Sequence, residues 1–148
     1  MSVPNHHLRC HDCSEKQYPS VSDLYCTECG GLFAVDYIDA PDGTRPRLPM
    51  DDPTKANSLG EGDTPMIFME KTRTSLGLNS LWGKLEFMAP TGSFKDRGSV
   101  ILTTMGRDLD VREFIEDSSG NAGASLSAYA AAAGLKAHVF APASAASG

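Results

Sequence analysis

Residues 114–140, FIEDSSGNAGASLSAYAAAAGLKAHVF, carry the clearest signals of secondary structure in the chain. Residues 114–117 are a strand candidate, and residues 124–133 consist almost wholly of good helix formers and small residues. Gly134 is placed to end that helix, and residues 136–140 return as a second strand. Strand, helix and strand at this spacing predict a β-α-β unit with parallel strands.

The residues before this unit continue the alternation of strands and helices. Residues 66–69 read as a short buried strand, and residues 81–88 alternate as a strand or hairpin arm does. A helix that begins at Ser93 or Asp96 and ends at Gly106 follows. The fold class is therefore predicted to be α/β with a parallel sheet, whose binding sites lie at the carboxyl ends of strands.

The length of 148 residues allows one ordinary globular domain with a small appendage. We expect a cysteine-bearing module in residues 1–38, a turn-rich linker in residues 39–62, and the α/β domain in residues 63–148. A net charge of -6 and a pI near 5.1 argue against nucleic acid as a partner. No apolar stretch suits a signal sequence or a membrane span, so we expect a soluble, cytoplasmic protein without membrane contact.

All the cysteines lie in the N-terminal module, as two CxxC pairs separated by twelve residues. Four thiolates at this spacing can converge tetrahedrally on a structural zinc ion, as in a zinc ribbon. The alternatives are two redox-active pairs or four unliganded thiols. Such a ribbon would by itself also suit a module that docks nucleic acid or protein. The predicted zinc ligands are Cys10, Cys13, Cys26 and Cys29.

A lysine lies in a glycine-flanked turn at the start of a predicted helix, in the segment PTGSFKDRG of residues 90–98. The positive end of the helix dipole and partial burial would favour a neutral amine at Lys95, which is the form that attacks an aldehyde. The alternative is a surface lysine in a turn. Asp96 is expected to cap the helix, and Arg97 is either functional or one partner of a surface ion pair.

A second loop, SSGNAG in residues 118–123, lies between the strand and the helix of the β-α-β unit. Its backbone N–H groups at a helix start can cradle an anion such as the carboxylate of an amino acid, and Asn121 adds a directed side-chain donor. Taken alone, the loop is equally compatible with a capping turn.

Four segments in this order resemble threonine synthase, a member of the pyridoxal-phosphate-dependent fold type II (tryptophan synthase β) superfamily. They are the cysteine module, the EGDTP segment of residues 61–65, the lysine loop and the SSGNAG loop. The resemblance extends from about Cys10 to the end of the chain. The two loops are specific to the superfamily, and the cysteine module with EGDTP indicates the threonine synthase branch.

The resemblance implies a role for each matching residue. Lys95 would form the Schiff base with pyridoxal 5'-phosphate (PLP) and later move a proton, and Asn121 would bind the phenolic oxygen of the cofactor. Ser118, Ser119 and Gly120 would hold the substrate carboxylate. The implied reaction converts O-phospho-L-homoserine and water to L-threonine and phosphate, with PLP as electron sink.

The resemblance also implies features that this sequence does not contain. A glycine-rich loop for the PLP phosphate and a small polar partner for the pyridine nitrogen would lie downstream. We therefore expect an N-terminal piece or truncated reading frame with little activity and weak PLP binding, and a homodimer for the full-length protein. The alternatives are another fold type II enzyme, namely cysteate synthase or threonine/serine dehydratase, or a non-enzymatic interaction protein that bears the ribbon.

Overall fold

A computed structural model describes residues 5–22, 24–39, 48–50 and 52–145. Most of the central part of the predicted linker, residues 40–47 and Asp51, therefore lies outside the described residues. The strands within them are His6–Cys10 (β1), Lys16–Gln17 (β2), Phe33–Tyr37 (β3), Met66–Phe68 (β4), Trp82–Lys84 (β5), Glu113–Glu116 (β6) and Lys136–Val139 (β7). The helices are Glu70–Ser75 (α1), Asp96–Asp108 (α2) and Asn121–Ala132 (α3). The 3-10 turns lie at Pro53–Lys55 and Glu86–Met88.

The chain divides into two compact units. The first comprises Met1–Ala56 with Thr104–Arg112, and the second comprises Asn57–Thr103 with Glu113–Gly148. In the first unit, β1 lies between β2 and β3 in an antiparallel sheet, with Cys10 opposite Phe33. Among the described residues, no helix is long and apolar enough to cross a membrane.

The β-α-β unit predicted from residues 114–140 is present in the second unit. Strands β6 and β7 pair in parallel, and α3 connects them and contacts both. Gly134 follows α3 with φ +71, a left-handed conformation that only glycine adopts without strain. Helix α3 buries one face through Gly123, Ser125, Leu126, Tyr129 and Ala130.

The other strands differ from the prediction of one parallel sheet. Strands β4 and β5 pair antiparallel, and β6 with β7 is the one parallel pair among the described residues. The prediction of a buried strand at residues 66–69 is wrong, because Met66, Ile67 and Phe68 are all exposed. Arg73 of α1 lies over the Phe68 ring, 5.8 Å from its centre, but the two-stranded sheet still leaves much of its apolar surface exposed.

The end of α2 also differs from the prediction. The helix begins at Asp96, one of the two predicted starts, but it continues past Gly106 to Asp108. The left-handed residue that ends it is Asp110, with φ +58, and the N–H of Val111 donates to the Gly106 carbonyl. Aspartate is one of the few residues other than glycine that tolerates this conformation, so Gly106 is not needed as the terminator.

Candidate functional site

The lysine loop turns at Gly92, which has φ +80, and runs into the first turn of α2. The N–H of Lys95 donates to Ser93 Oγ at 3.2 Å, and its Nζ lies 4.9 Å from the centre of the Phe94 ring. The expectation of partial burial is wrong, because Lys95 is exposed. The predicted strand of residues 81–88 ends early, and the 3-10 turn Glu86–Met88 precedes the loop. No ion pair holds the Lys95 amine within the described residues, so the amine is accessible to a small molecule.

Asp96, the residue after the lysine, is completely buried. Its Oδ2 accepts a hydrogen bond from the Thr91 N–H at 2.8 Å, and its Oδ1 accepts one from the Thr91 hydroxyl. The Ser125 hydroxyl of α3 donates to the same Oδ1 at 2.6 Å and lies 2.7 Å from Ser99 Oγ. Asp96 therefore does more than begin α2, because it closes the lysine loop and joins it to α3.

The SSGNAG loop lines an open cavity of about 470 Å³. Ser118, Ser119, Gly120 and Asn121 all contribute to its wall, so the structure brings these four predicted site residues together. Lys95 is not among the residues that line this cavity.

Gly123 is required by a close approach in the same loop. A Cβ at this position would lie 2.8 Å from Val139 Cγ1 and 3.1 Å from the Ser118 carbonyl oxygen. The bare backbone of α3 thus packs against β7 and against the first residue of the loop. This contact fixes the loop at the carboxyl end of β6, where the sequence predicts a binding site.

The EGDTP segment is tied to α3 by its glutamate. Glu61 Oε2 accepts a hydrogen bond from the buried Tyr129 hydroxyl at 2.7 Å, and also from Ser58 Oγ and the Leu59 N–H. Burial raises the pKa of Glu61, but the hydrogen bonds from Tyr129 and the neighbouring groups outweigh it and leave the pKa below its ordinary value. Burial, followed by the nearby Glu61 carboxylate, raises the pKa of Tyr129, which stays a protonated donor.

The threonine of EGDTP belongs to a second polar cluster. Arg97 forms two hydrogen bonds with the Glu86 carboxylate, at 2.7 and 2.9 Å, and Thr64 Oγ1 donates to Glu86 at 3.1 Å. The hydrogen bonds from Arg97 hold the pKa of Glu86 below its usual range. Of the two readings of Arg97, the ion pair is the one that the structure shows.

Ser125 and Tyr129 are site-supporting residues that the sequence reasoning missed. Both lie in α3, a helix predicted only from its content of good helix formers and small residues. A signal was available, because Ser125 follows Asn121 by four residues and Tyr129 follows Ser125 by four, which places all three along one side of a helix. Polar side chains in such a row among alanines indicate partners on a neighbouring element.

The four cysteine sulfurs of the first unit lie within 4.8 Å of one another. Cys10 Sγ is 3.5 Å from Cys29 Sγ, and Cys13 Sγ is 3.6 Å from Cys26 Sγ. A tetrahedral site with Zn–S bonds near 2.3 Å requires sulfurs about 3.8 Å apart, so the cluster is close to the geometry of a four-thiolate zinc site.

Backbone N–H groups surround this cluster. The N–H of Cys13 hydrogen-bonds to the Cys10 sulfur and lowers the pKa of that thiol to about 7. The N–H groups of Glu15 and Gly31 likewise lower the pKa of the Cys13 and Cys29 thiols, but neighbouring cysteines and burial outweigh them, so the pKa of Cys13 is raised to about 12 and that of Cys29 is also raised. Gly31 has no room for a side chain, because a Cβ there would lie 2.9 Å from Cys10 Sγ. Donors of this kind stabilise thiolates, the form that binds metal.

Comparison with known proteins identifies the family. A family model described as pyridoxal-phosphate dependent enzyme matches residues 57–148. The chain belongs to this family. It is 37% identical to a threonine synthase of Methanocaldococcus jannaschii over 151 residues, which cover 90% of this chain and 37% of that protein. It is 30% identical to a threonine synthase of Methanosarcina acetivorans over 93% of this chain, and 41% identical to one of Bacillus sp. (strain ULM1) over 64%.

The chain spans 37% of the length of the first and second of these relatives and 27% of the third. The PLP-dependent family and the parallel β6-α3-β7 unit confirm the α/β, fold type II part of the predicted fold class. The residues present fit the cofactor of this family in two respects. Lys95 offers an accessible amine, and Asn121 lies at the wall of a cavity beside the start of α3.

Proposed function

We propose that this chain is part of a threonine synthase-like, PLP-dependent carbon-oxygen lyase. It contributes the lysine that binds the cofactor and the asparagine that contacts the cofactor ring. The observation that carries the proposal is the 2.6 Å hydrogen bond between Ser125 Oγ and Asp96 Oδ1. It joins the loop that bears the accessible Lys95 amine to the helix that begins with Asn121. A surface lysine in an ordinary turn has no need of such a connection, and the identity to three threonine synthases supports the same branch.

Each predicted site residue has a chemical task in this proposal. Lys95 would hold the cofactor through its aldehyde, with loss of water, and once its amine is released it would take up and return a proton at its Nζ. Asn121 would hold the cofactor ring by donating to its phenolic oxygen. Ser118, Ser119 and Gly120 hold the substrate carboxylate at the start of α3, where backbone N–H groups favour an anion. When bound, PLP supplies the electron sink that stabilises a carbanion.

The proposed reaction converts O-phospho-L-homoserine and water to L-threonine and phosphate. Because the chain spans 27–37% of the compared relatives, this reaction is assigned to the enzyme to which these residues contribute, and we propose that the chain alone turns over slowly. We further propose that the enzyme is a cytoplasmic homodimer and that residues 1–38, 39–62 and 63–148 are its ribbon-like module, its linker and the first part of its catalytic domain.

Product analysis tests the reaction. The chain is incubated with PLP and O-phospho-L-homoserine, and L-threonine and inorganic phosphate are measured together. We expect both products in equal amounts, at a low rate that Lys95→Ala abolishes. Cysteate from phosphoserine and sulfite, or 2-oxobutanoate from threonine, would assign the chain to another branch of the superfamily. Product formation that persists in Lys95→Ala would contradict the role of the lysine.

We propose that Cys10, Cys13, Cys26 and Cys29 bind one structural zinc ion. The close spacing of the sulfurs supports this assignment, as does the Cys13 N–H directed at the Cys10 sulfur. Four protein ligands leave no open coordination position, so the ion would stabilise the fold of the first unit without taking part in the reaction. Metal analysis after gentle purification should find about one zinc per chain, and a content far below this value would count against the site.

A further inference from the structure

The buried Asp96 carboxylate needs hydrogen-bond donors, because burial of a charge is costly without them. No cationic side chain pairs with Asp96 in the described ranges, so Thr91 and Ser125 satisfy it. Hydrogen bonds to an ionised group are about twice as strong as neutral ones. The contact between Ser125 and Asp96 is therefore more than incidental packing.

The direction of this contact is fixed by the carboxylate. A hydroxyl has one proton, and a carboxylate can only accept, so Ser125 is the donor and Asp96 the acceptor. Ser99 Oγ, in the first turn of α2, lies 2.7 Å from Ser125 Oγ as a second acceptor of the same hydroxyl. Ser125 thus contacts α2 at both Asp96 and Ser99.

We propose that Asp96 and Ser125 are positioning residues, which set the place of the Lys95 amine relative to Asn121. Lys95 immediately precedes Asp96, and Ser125 lies about one helical turn after Asn121 on α3. One hydrogen bond therefore connects the backbones that carry the two cofactor residues. This inference rests on the proposed function, since it concerns the reactivity of Lys95 toward the cofactor.

Two measurements on the whole chain test the inference. In reductive labelling, the protein is incubated with PLP and reduced with borohydride, and the label on Lys95 is compared with that on Lys71, an exposed lysine of α1. Amide hydrogen exchange at Thr91, whose N–H donates to Asp96, reports on the loop without any cofactor. The variants are Ser125→Ala and, as control, Thr103→Val, which removes another buried hydroxyl bonded only within its own helix.

We expect Ser125→Ala to speed exchange at Thr91 and to lower the ratio of Lys95 to Lys71 labelling about tenfold, the factor at the lower end for loss of a hydrogen bond to a charged group. Thr103→Val should leave both values as in the wild type. Should Ser125→Ala fail to fold, Ser125→Cys keeps a side chain of similar size with a weaker donor, and it should change both readouts in the same direction by a smaller factor.

An unchanged labelling ratio in Ser125→Ala, with faster exchange at Thr91, would overturn the inference, because the bridge would then stabilise the fold alone. A wild-type protein whose Lys95 is labelled no faster than Lys71 would overturn the proposed function and this inference with it. The two failures are distinguishable, since the second appears in the wild type before any variant is compared.

Discussion

The hydroxyl of Tyr129 donates a 2.7 Å hydrogen bond to Glu61, a residue 68 positions earlier in the chain. It connects the middle of α3 to the EGDTP segment, and Tyr129 has no solvent-exposed surface. Together with the bond from Ser125 to Asp96, it gives α3 two polar links to earlier parts of the second unit. Helix α3 is therefore the element around which the candidate site is organised.

Tyr129→Phe should destabilise the second unit by about 1.5–3 kcal/mol, the range for loss of a hydrogen bond to a charged group. The substitution keeps the ring and removes only the donor. Urea unfolding of the variant and of Tyr25→Phe, which alters an exposed tyrosine, measures the difference. Equal losses of stability in the two variants would refute the importance of the link.

The stability of the chain should fall in acid, partly through Glu61 and Glu86. Both carboxyls have a folded-state pKa below the ordinary value of 4.5, so the unfolded chain takes up protons first as the pH falls. Their contribution to the free energy of unfolding is present above pH 4.5. It is lost as the pH falls through the lower pKa that each carboxyl has in the folded state. In urea unfolding, the free energy of unfolding of Glu61→Gln should fall less steeply with pH below about pH 5 than that of the wild type. A pH slope identical to that of the wild type would rule out this contribution.

Gly123→Ala should destabilise the fold by about 1–3 kcal/mol, because the added methyl group would overlap Val139 and the Ser118 carbonyl. Gly98→Ala is the matched control. A Cβ at Gly98, inside α2, meets nothing within 4 Å, and alanine is the better helix former, so this variant should gain about 0.5–1 kcal/mol. Thermal unfolding compares the two, and equal effects of the same sign would contradict the close contact at Gly123.

Gly31→Ala should reduce the zinc content of the purified protein well below that of the wild type, because its methyl group would collide with the Cys10 sulfur. Gly30→Ala is the control, since its φ of +77 costs alanine about 1 kcal/mol while the space around it is open. We expect Gly30→Ala to retain the metal, and a chelator to unfold the first unit of the wild type. Equal zinc contents in the two variants would show that the cluster tolerates displacement of Cys10.

Local patterns predicted the β-α-β unit well, because each boundary has its own chemical signal. The alanine-rich run and Gly134 define α3, and the spacing of the flanking apolar segments defines β6 and β7. The pattern failed at residues 66–69, where an apolar run suggested burial. Burial depends on which elements cover a strand, and no local pattern contains that information.

The sequence indicated which segments form the candidate site, but it did not indicate the hydrogen bonds that join them. The two loops and the cysteine pairs could be read directly, since each is contiguous in sequence. The bonds from Ser125 to Asp96 and from Tyr129 to Glu61 span 29 and 68 positions, and they exist only once α3 is packed. The exposure of Lys95 follows from the same packing, because the loop is held through Asp96 and its lysine is left free.

The distribution of reductive PLP label over the lysines of the wild-type chain tests whether Lys95 is the residue that binds the cofactor. Peptide mapping should place most of the label on Lys95, and Lys95→Arg should remove that label while Lys71→Arg leaves it unchanged. Label spread evenly over the exposed lysines, or concentrated on a peptide without Lys95, would contradict the assignment of this loop as the cofactor-binding lysine site.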